Sequence, residues 1–171
     1  MTHAASPLLE ARGLVVGHGT CALFPPLDFA LRPGELVCLL GGNGAGKTTL
    51  LKTLAGIHEA VNGEVLLQGD ALPALPGRER ARRTALLLTD AAPPAFLTGR
   101  EFVRIGRTPH APSPADAARV DALLRHLRCI HLAERRLGTL SDGEKQRLSL
   151  ARALAQEAPV LLLDEPLAHL D

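Results

Sequence analysis

A chain of 171 residues can bury one core of its own and is too short for two domains of ordinary size. Its 19 basic and 18 acidic residues leave a formal charge of +1, which offers no electrostatic excess for nucleic acid or an anionic membrane surface. No apolar run nears the roughly 20 residues that cross a bilayer, and residues 1–7 lack the basic-then-apolar order of a signal peptide, so a soluble cytosolic chain is expected.

Residues 8–16 alternate loosely and end at Gly17-His18-Gly19, which predicts a short strand before a turn. Pro33-Gly34 marks a second turn. The continuous apolar run 36–40, closed by Gly41-Gly42, predicts a central parallel strand buried on both faces. A helix should start at Lys47, carry Leu50, Leu51 and Leu54 on one face and stop at Gly56. Asn62-Gly63 is a tight-turn dipeptide that places residues 64–68 on the return strand of a hairpin. Residues 84–88 form another apolar strand. From Thr98 the pattern turns helical, with Thr98 and Glu101 spaced as a capping box. Ser113 and Asp116 form a second box with Pro114 at the first helical position, followed by Val120, Leu123, Leu124 and Leu127 at i, i+3, i+4 and i+7. A last helix over 142–156 precedes the apolar strand 160–163. The alternation implies an α/β fold with a parallel sheet covered on both faces. It reads as one domain: an α/β core with an N-terminal β portion over 1–89 and 139–171, and a helical subdomain over 90–138. Cys21, Cys38 and Cys129 show no CxxC pair or zinc-ligand spacing and are expected as reduced, buried, small apolar residues.

Three stretches carry chemistry. Gly41-Gly42-Asn43-Gly44-Ala45-Gly46-Lys47-Thr48 satisfies G-x-x-x-x-G-K-[ST] between an expected strand and an expected helix. Backbone N–H groups of such a loop turn inward around a phosphate, and the helix N-terminus adds partial positive charge. Lys47 should reach the β- and γ-phosphates of ATP, Thr48 should ligate Mg²⁺, and Thr49 follows on the same helical turn. Asp164 and Glu165 close the strand 160–163; a carboxylate at Asp164 can hold Mg²⁺, and Glu165 is the expected general base for an attacking water.

The third stretch, Leu140-Ser141-Asp142-Gly143-Glu144-Lys145-Gln146-Arg147, is by itself a capping box of Ser141 with Glu144. It also resembles the signature of ABC ATPases, usually Leu-Ser-Gly-Gly-Gln. With Ala151-Arg152-Ala153-Leu154 and Leu161-Leu162-Leu163-Asp164-Glu165-Pro166, the resemblance covers nearly the whole chain. It implies a RecA-like P-loop NTPase core and an ATPase that works as a head-to-tail homodimer, in which Ser141 and the Gly143 backbone close on ATP held by the partner's P-loop. It further implies membrane permease subunits as partners, indirectly a substrate-binding protein, no nucleic acid, and a peripheral place on the cytoplasmic face of the inner (plasma) membrane. Asp171 matches the D-loop aspartate that communicates between the two sites. The family continues past this point with more strands and a γ-phosphate histidine, so the resemblance implies a C-terminally incomplete cassette in which turnover is not expected.

Departures from the family pattern are specific. His18 stands where an aromatic residue usually stacks on adenine. Thr89-Asp90 stands where the Q-loop glutamine is expected, and either Thr89 or Asp90 can offer an oxygen ligand to Mg²⁺. Asp142 and Glu144 replace Gly and Gln of the signature. These departures, with residues 97–110 and above all Gly106-Arg107-Thr108-Pro109, resemble the importers of iron(III)-siderophore, haem and cobalamin. Two other readings stay open: a soluble ABC ATPase acting on DNA or ribosomes, and a module that binds nucleotide without turning it over.

Overall fold

The computed structural model describes residues 6–89 and 93–166. They divide into two compact units, Met1–Thr84 and Ala85–Asp171.

The first unit is built on an antiparallel sheet. β1 (Leu9–Val15) pairs with β4 (Leu27–Leu31) on one side and with β5 (Asn62–Leu67) on the other, and β5 continues to the two-residue β6 (Asp70–Ala71). Alternation along β1 buries Leu9 and Ala11 and leaves Arg12 in solvent, where it bridges Glu10 and Glu64. The ladder then shifts register between Arg12 and Val15, a bulge that returns Leu14 and Val16 to the core. Asn62-Gly63 lies at this bulge, inside β5, and not at the expected hairpin turn: a Cβ on Gly63 would sit 2.2 Å from the carbonyl oxygen of Gly13. The turn instead falls at Gln68-Gly69, both with positive φ, as a two-residue connection between paired Leu67 and Asp70 requires. The expected turn at residues 17–19 contains a further hairpin, β2 (Gly17–His18) with β3 (Cys21–Ala22), and the unit also holds the helices α1 (Lys47–Leu54) and α2 (Gly77–Arg83).

The expected central strand over residues 36–40 is not formed. Leu36 and Leu40 are 89% and 93% exposed, and Val37 and Leu39 are exposed as well. A strand buried on both faces exists only through a ladder on each side, and no ladder among the described residues includes this run. Cys38 is exposed with it, and so is Cys21; of the three thiols only Cys129 is buried, where loss of water raises its pKa.

The second unit pairs β7 (Thr84–Leu87), whose first residue closes the first unit, with β8 (Val160–Leu163). The same unit holds α3 (Gly99–Ile105), α4 (Asp116–His126) and α5 (Asp142–Ala155), which pack against one another. Their apolar faces meet in one cluster that includes Phe102, Val103, Val120, Leu124 and Leu148, with Leu123 and Leu127 against its edge, as the helical spacing predicts. Thr98 and Glu101 complete the expected capping box on α3. The second expected box does not close. α4 begins at Asp116, two residues beyond Pro114, and is capped by no side chain. Asp116 Oδ2 accepts from the Ser113 amide at 3.1 Å and makes one half of the box while Oδ1 serves Arg107 and Arg119; the other half is missing because the Ser113 hydroxyl accepts from the Ala115 amide at 3.2 Å.

Candidate functional site

In the first unit, α1 (Lys47–Leu54) begins at the glycine-rich loop and ends before Gly56, as expected. Its N-terminus has no side-chain cap and no acidic residue in the first turn, so the helix-end N–H groups face the loop. Residues 41–45 are exposed. Nζ of Lys47 donates to the carbonyl oxygens of Gly41 and Gly42, each at 2.8 Å, which folds the ammonium over the loop it is expected to serve. Gly46 is held at φ 88°, and a Cβ there would lie 3.0 Å from Leu23 Cδ1 and 3.1 Å from Phe24 Cε1. The loop is thus pressed against the chain that leaves the β2–β3 hairpin. An exposed backbone cradle with a movable cation suits phosphate groups.

That hairpin carries His18. Its ring meets His58 edge-on at 5.2 Å, and His58 Nε2 lies 2.7 Å from the carbonyl oxygen of Gly17. Sequence reasoning missed His58, because it lies 40 residues away with no motif around it. His18 itself is exposed.

In the second unit, Asp164 and Glu165 follow β8 directly. The Asp164 amide donates to Leu87 O at 2.9 Å, which carries the pairing with the last residue of β7 one position past the end of β8. Thr89 Oγ1 donates to Asp164 O at 2.6 Å. Thr89 therefore stands beside the expected metal carboxylate residue, with its proton committed to that residue's backbone. Glu165 is exposed and adopts φ 44°, a left-handed conformation that costs an L residue about 1–2 kcal/mol.

Ser141 caps α5 as the sequence predicts: its hydroxyl accepts from the Glu144 amide at 3.2 Å, and Glu144 Oε2 accepts from the Ser141 amide at 2.8 Å. The Ser141 amide holds the Glu144 carboxyl below the ordinary carboxylate range, with Arg135 adding attraction. Asp142, in place of the usual glycine, pairs with Lys145 at 2.9 Å. Gly143 follows in the first turn of the helix. At the other end of α5, the Gly106-Arg107 stretch finds its use. Arg107, 7% exposed, donates to Ala155 O at 2.8 Å and pairs with Asp116 at 3.1 Å and Glu157 at 2.7 Å, while His110 Nε2 lies 2.8 Å from Gln156 O. Burial pushes the Asp116 carboxyl up, but the Ser113 amide and the Arg107 guanidinium outweigh it and leave it low. Arg107 thus satisfies the C-terminus of α5 and not that of its own α3.

Lys47, Thr48 and Thr49 fall in the first unit with His18; Asp164, Glu165, Thr89, Ser141 and Gly143 fall in the second. Asp90 and Asp171 lie outside the described residues.

The fold is that of a P-loop NTPase. A solved structure described as the ATP-binding subunit of an ABC transporter superposes with a TM-score of 0.83 at 29% identity, over 93% of this chain and 66% of that one. The ABC transporter family model matches residues 24–168, and the chain belongs to that family. Among curated relatives, the hemin import ATP-binding protein of Myxococcus xanthus is 42% identical over 95% of this chain and 65% of its own length. The cobalamin import ATP-binding protein of Halobacterium salinarum is 41% identical over 95% of this chain and 42% of its own. The chain therefore spans less than two thirds of the length of either relative. No helix among the described residues is long and apolar enough to cross a membrane.

Proposed function

We propose that the chain is the ATP-binding and ATP-hydrolysing part of an ABC importer for a metal–macrocycle or iron-chelate solute such as haem, cobalamin or a siderophore. The observation that carries this reading is the signature helix. Ser141, in the stretch that separates ABC ATPases from other P-loop proteins, caps a 14-residue helix through a reciprocal pair of hydrogen bonds with Glu144. The similarity to hemin and cobalamin import ATP-binding proteins supports the solute class.

In this reading the backbone of residues 41–46 and the start of α1 bind the ATP phosphates, and Lys47 leaves the Gly41 and Gly42 carbonyls for the β- and γ-phosphates. His18 lies against adenine. The hydroxyl of Thr48 and the carboxylate of Asp164 are hard oxygen donors suited to Mg²⁺, with Thr89 or Asp90 as a further oxygen. When bound, that ion neutralises charge on the phosphates. Glu165 takes the proton of the attacking water. Ser141 and the Gly143 amide act on the ATP of a second subunit in a head-to-tail homodimer, and Asp171 links the two sites. Permease subunits bring the dimer to the cytoplasmic face of the membrane, and a substrate-binding protein delivers the solute, which this chain never touches.

Binding of a fluorescent ATP analogue tests the first step. Lys47→Ala removes the cation and is expected to abolish binding; undiminished binding would overturn the site. Affinity capture from native membranes tests the setting: an integral permease is expected, whereas ribosomes or DNA would favour the soluble ATPase.

A further inference from the structure

Glu165 occupies a backbone conformation that side-chain-bearing residues adopt only when their surroundings hold them there. Its own side chain is exposed, so the hold acts through the peptides on either side. Before it, the Asp164 amide is tied to Leu87 O and the Asp164 carbonyl accepts from Thr89 at 2.6 Å. After it, the Pro166 carbonyl accepts from Gln146 Nε2 at 3.4 Å, and Gln146 is buried on α5, five positions beyond Ser141. The shorter and better placed of these contacts is that of Thr89.

A carbonyl oxygen can only accept, so the Thr89 hydroxyl must donate, and the bond survives in only one orientation of the Asp164–Glu165 peptide. Turning that peptide over would point the carbonyl away from Thr89 and let Glu165 relax out of the left-handed region, as happens when one turn type converts to another. The turned peptide would also send the Glu165 side chain in a different direction. The geometry points to Thr89 as a positioning residue for Glu165: its hydroxyl clamps the Asp164–Glu165 peptide in the orientation that aims the carboxylate. This rests on Glu165 being the general base. The role differs from metal ligation, because it needs the proton of Thr89 and not its lone pairs.

Three variants, made in a version extended to the full length of the relatives, test the clamp. Thr89→Val removes the donor at nearly constant shape, Thr89→Ala removes it without placing a methyl in a part-buried site, and Thr89→Ser keeps it. Two readouts are compared: the Asp164 carbonyl-carbon and Glu165 amide-nitrogen resonances, which sense the hydrogen bond directly, and the kcat and KM of ATP hydrolysis. Val and Ala are expected to move both resonances and to lower kcat on the order of 10- to 100-fold, with KM for ATP within about twofold. Ser is expected to restore resonances and kcat. Val or Ala with wild-type resonances or wild-type kcat would overturn the clamp, and so would a Ser variant as impaired as Val. Glu165→Gln serves as the control. If it hydrolyses ATP at the wild-type rate, the general-base assignment fails, while the two resonances still decide whether Thr89 sets the peptide.

Discussion

Glu144 stands at the third position of α5, where the usual signature residue is glutamine, and the substitution makes the cap titratable. The Ser141 amide and hydroxyl hold its carboxyl below the ordinary value of 4.5. A carboxyl depressed by folding adds stability at all pH above that ordinary value, and the contribution is lost as pH falls through the lower folded-state pKa. Glu144→Gln keeps an oxygen that can accept from the Ser141 amide but does not titrate. The stability of the wild type relative to Glu144→Gln is therefore expected to be constant at neutral pH and to decline below about pH 4.5. Urea denaturation across that range measures it, and a difference independent of pH would contradict the assignment. The pair Ser141 and Glu144 was legible because the two residues lie three positions apart along the chain. The sequence offers Thr89 as an oxygen ligand to Mg²⁺, and its bond in the structure, to the Asp164 carbonyl, joins positions 75 residues apart. No local pattern encodes that distance.

At the scale of the element, the Gly106-Arg107 stretch couples α3 to α5. A Cβ on Gly106 would fall 2.2 Å from Arg152 O and 2.9 Å from Ala155 Cβ, so α3 approaches α5 as closely as backbone permits. Gly106→Ala must push the helices apart, and overpacking of this kind costs about 1–3 kcal/mol or more. A lowered urea midpoint is expected, together with weakened protection of the α5 amides against hydrogen exchange, while Lys47 in the first unit keeps its affinity for nucleotide. Unchanged exchange in α5 would show that the contact is dispensable. Secondary structure was predicted well where one element contains its own instructions. The box on α3, the box on α5 and the buried face of α4 all repeat within a few residues. Predictions failed where an outside group competed. Ser113 and Asp116 have the spacing of a capping box, but only half of it forms, because the Ser113 hydroxyl turns to the Ala115 amide while Asp116 also serves Arg107 from another segment. Asn62-Gly63 carries the chemistry of a tight turn, and Gly13 on the neighbouring strand made it a bulge.

For the whole molecule, the proposed mechanism requires two copies, because Ser141 acts on nucleotide held by another chain. Glu165→Gln keeps the shape of the side chain and removes the base. In a version extended to the full length of the relatives it is expected to bind ATP without hydrolysing it and to accumulate as a dimer, seen as an ATP-dependent shift in light scattering. A strictly monomeric variant at saturating ATP would sink the head-to-tail arrangement. The sequence by itself determined the family, the glycine-rich loop that opens α1, the cap on α5 and the apolar faces of the helices, since each depends on residues close together in the chain. Tertiary structure alone decided the fate of residues 36–40, whose apolar character predicts a buried strand but cannot supply the neighbouring ladders. It also decided the pairing of His18 with His58, the use of Arg107 at the far end of α5, and the bond from Thr89 to Asp164. The physical reason is common to all four: a hydrogen bond, ladder or close packing contact is a property of two surfaces, and a sequence displays them only one at a time.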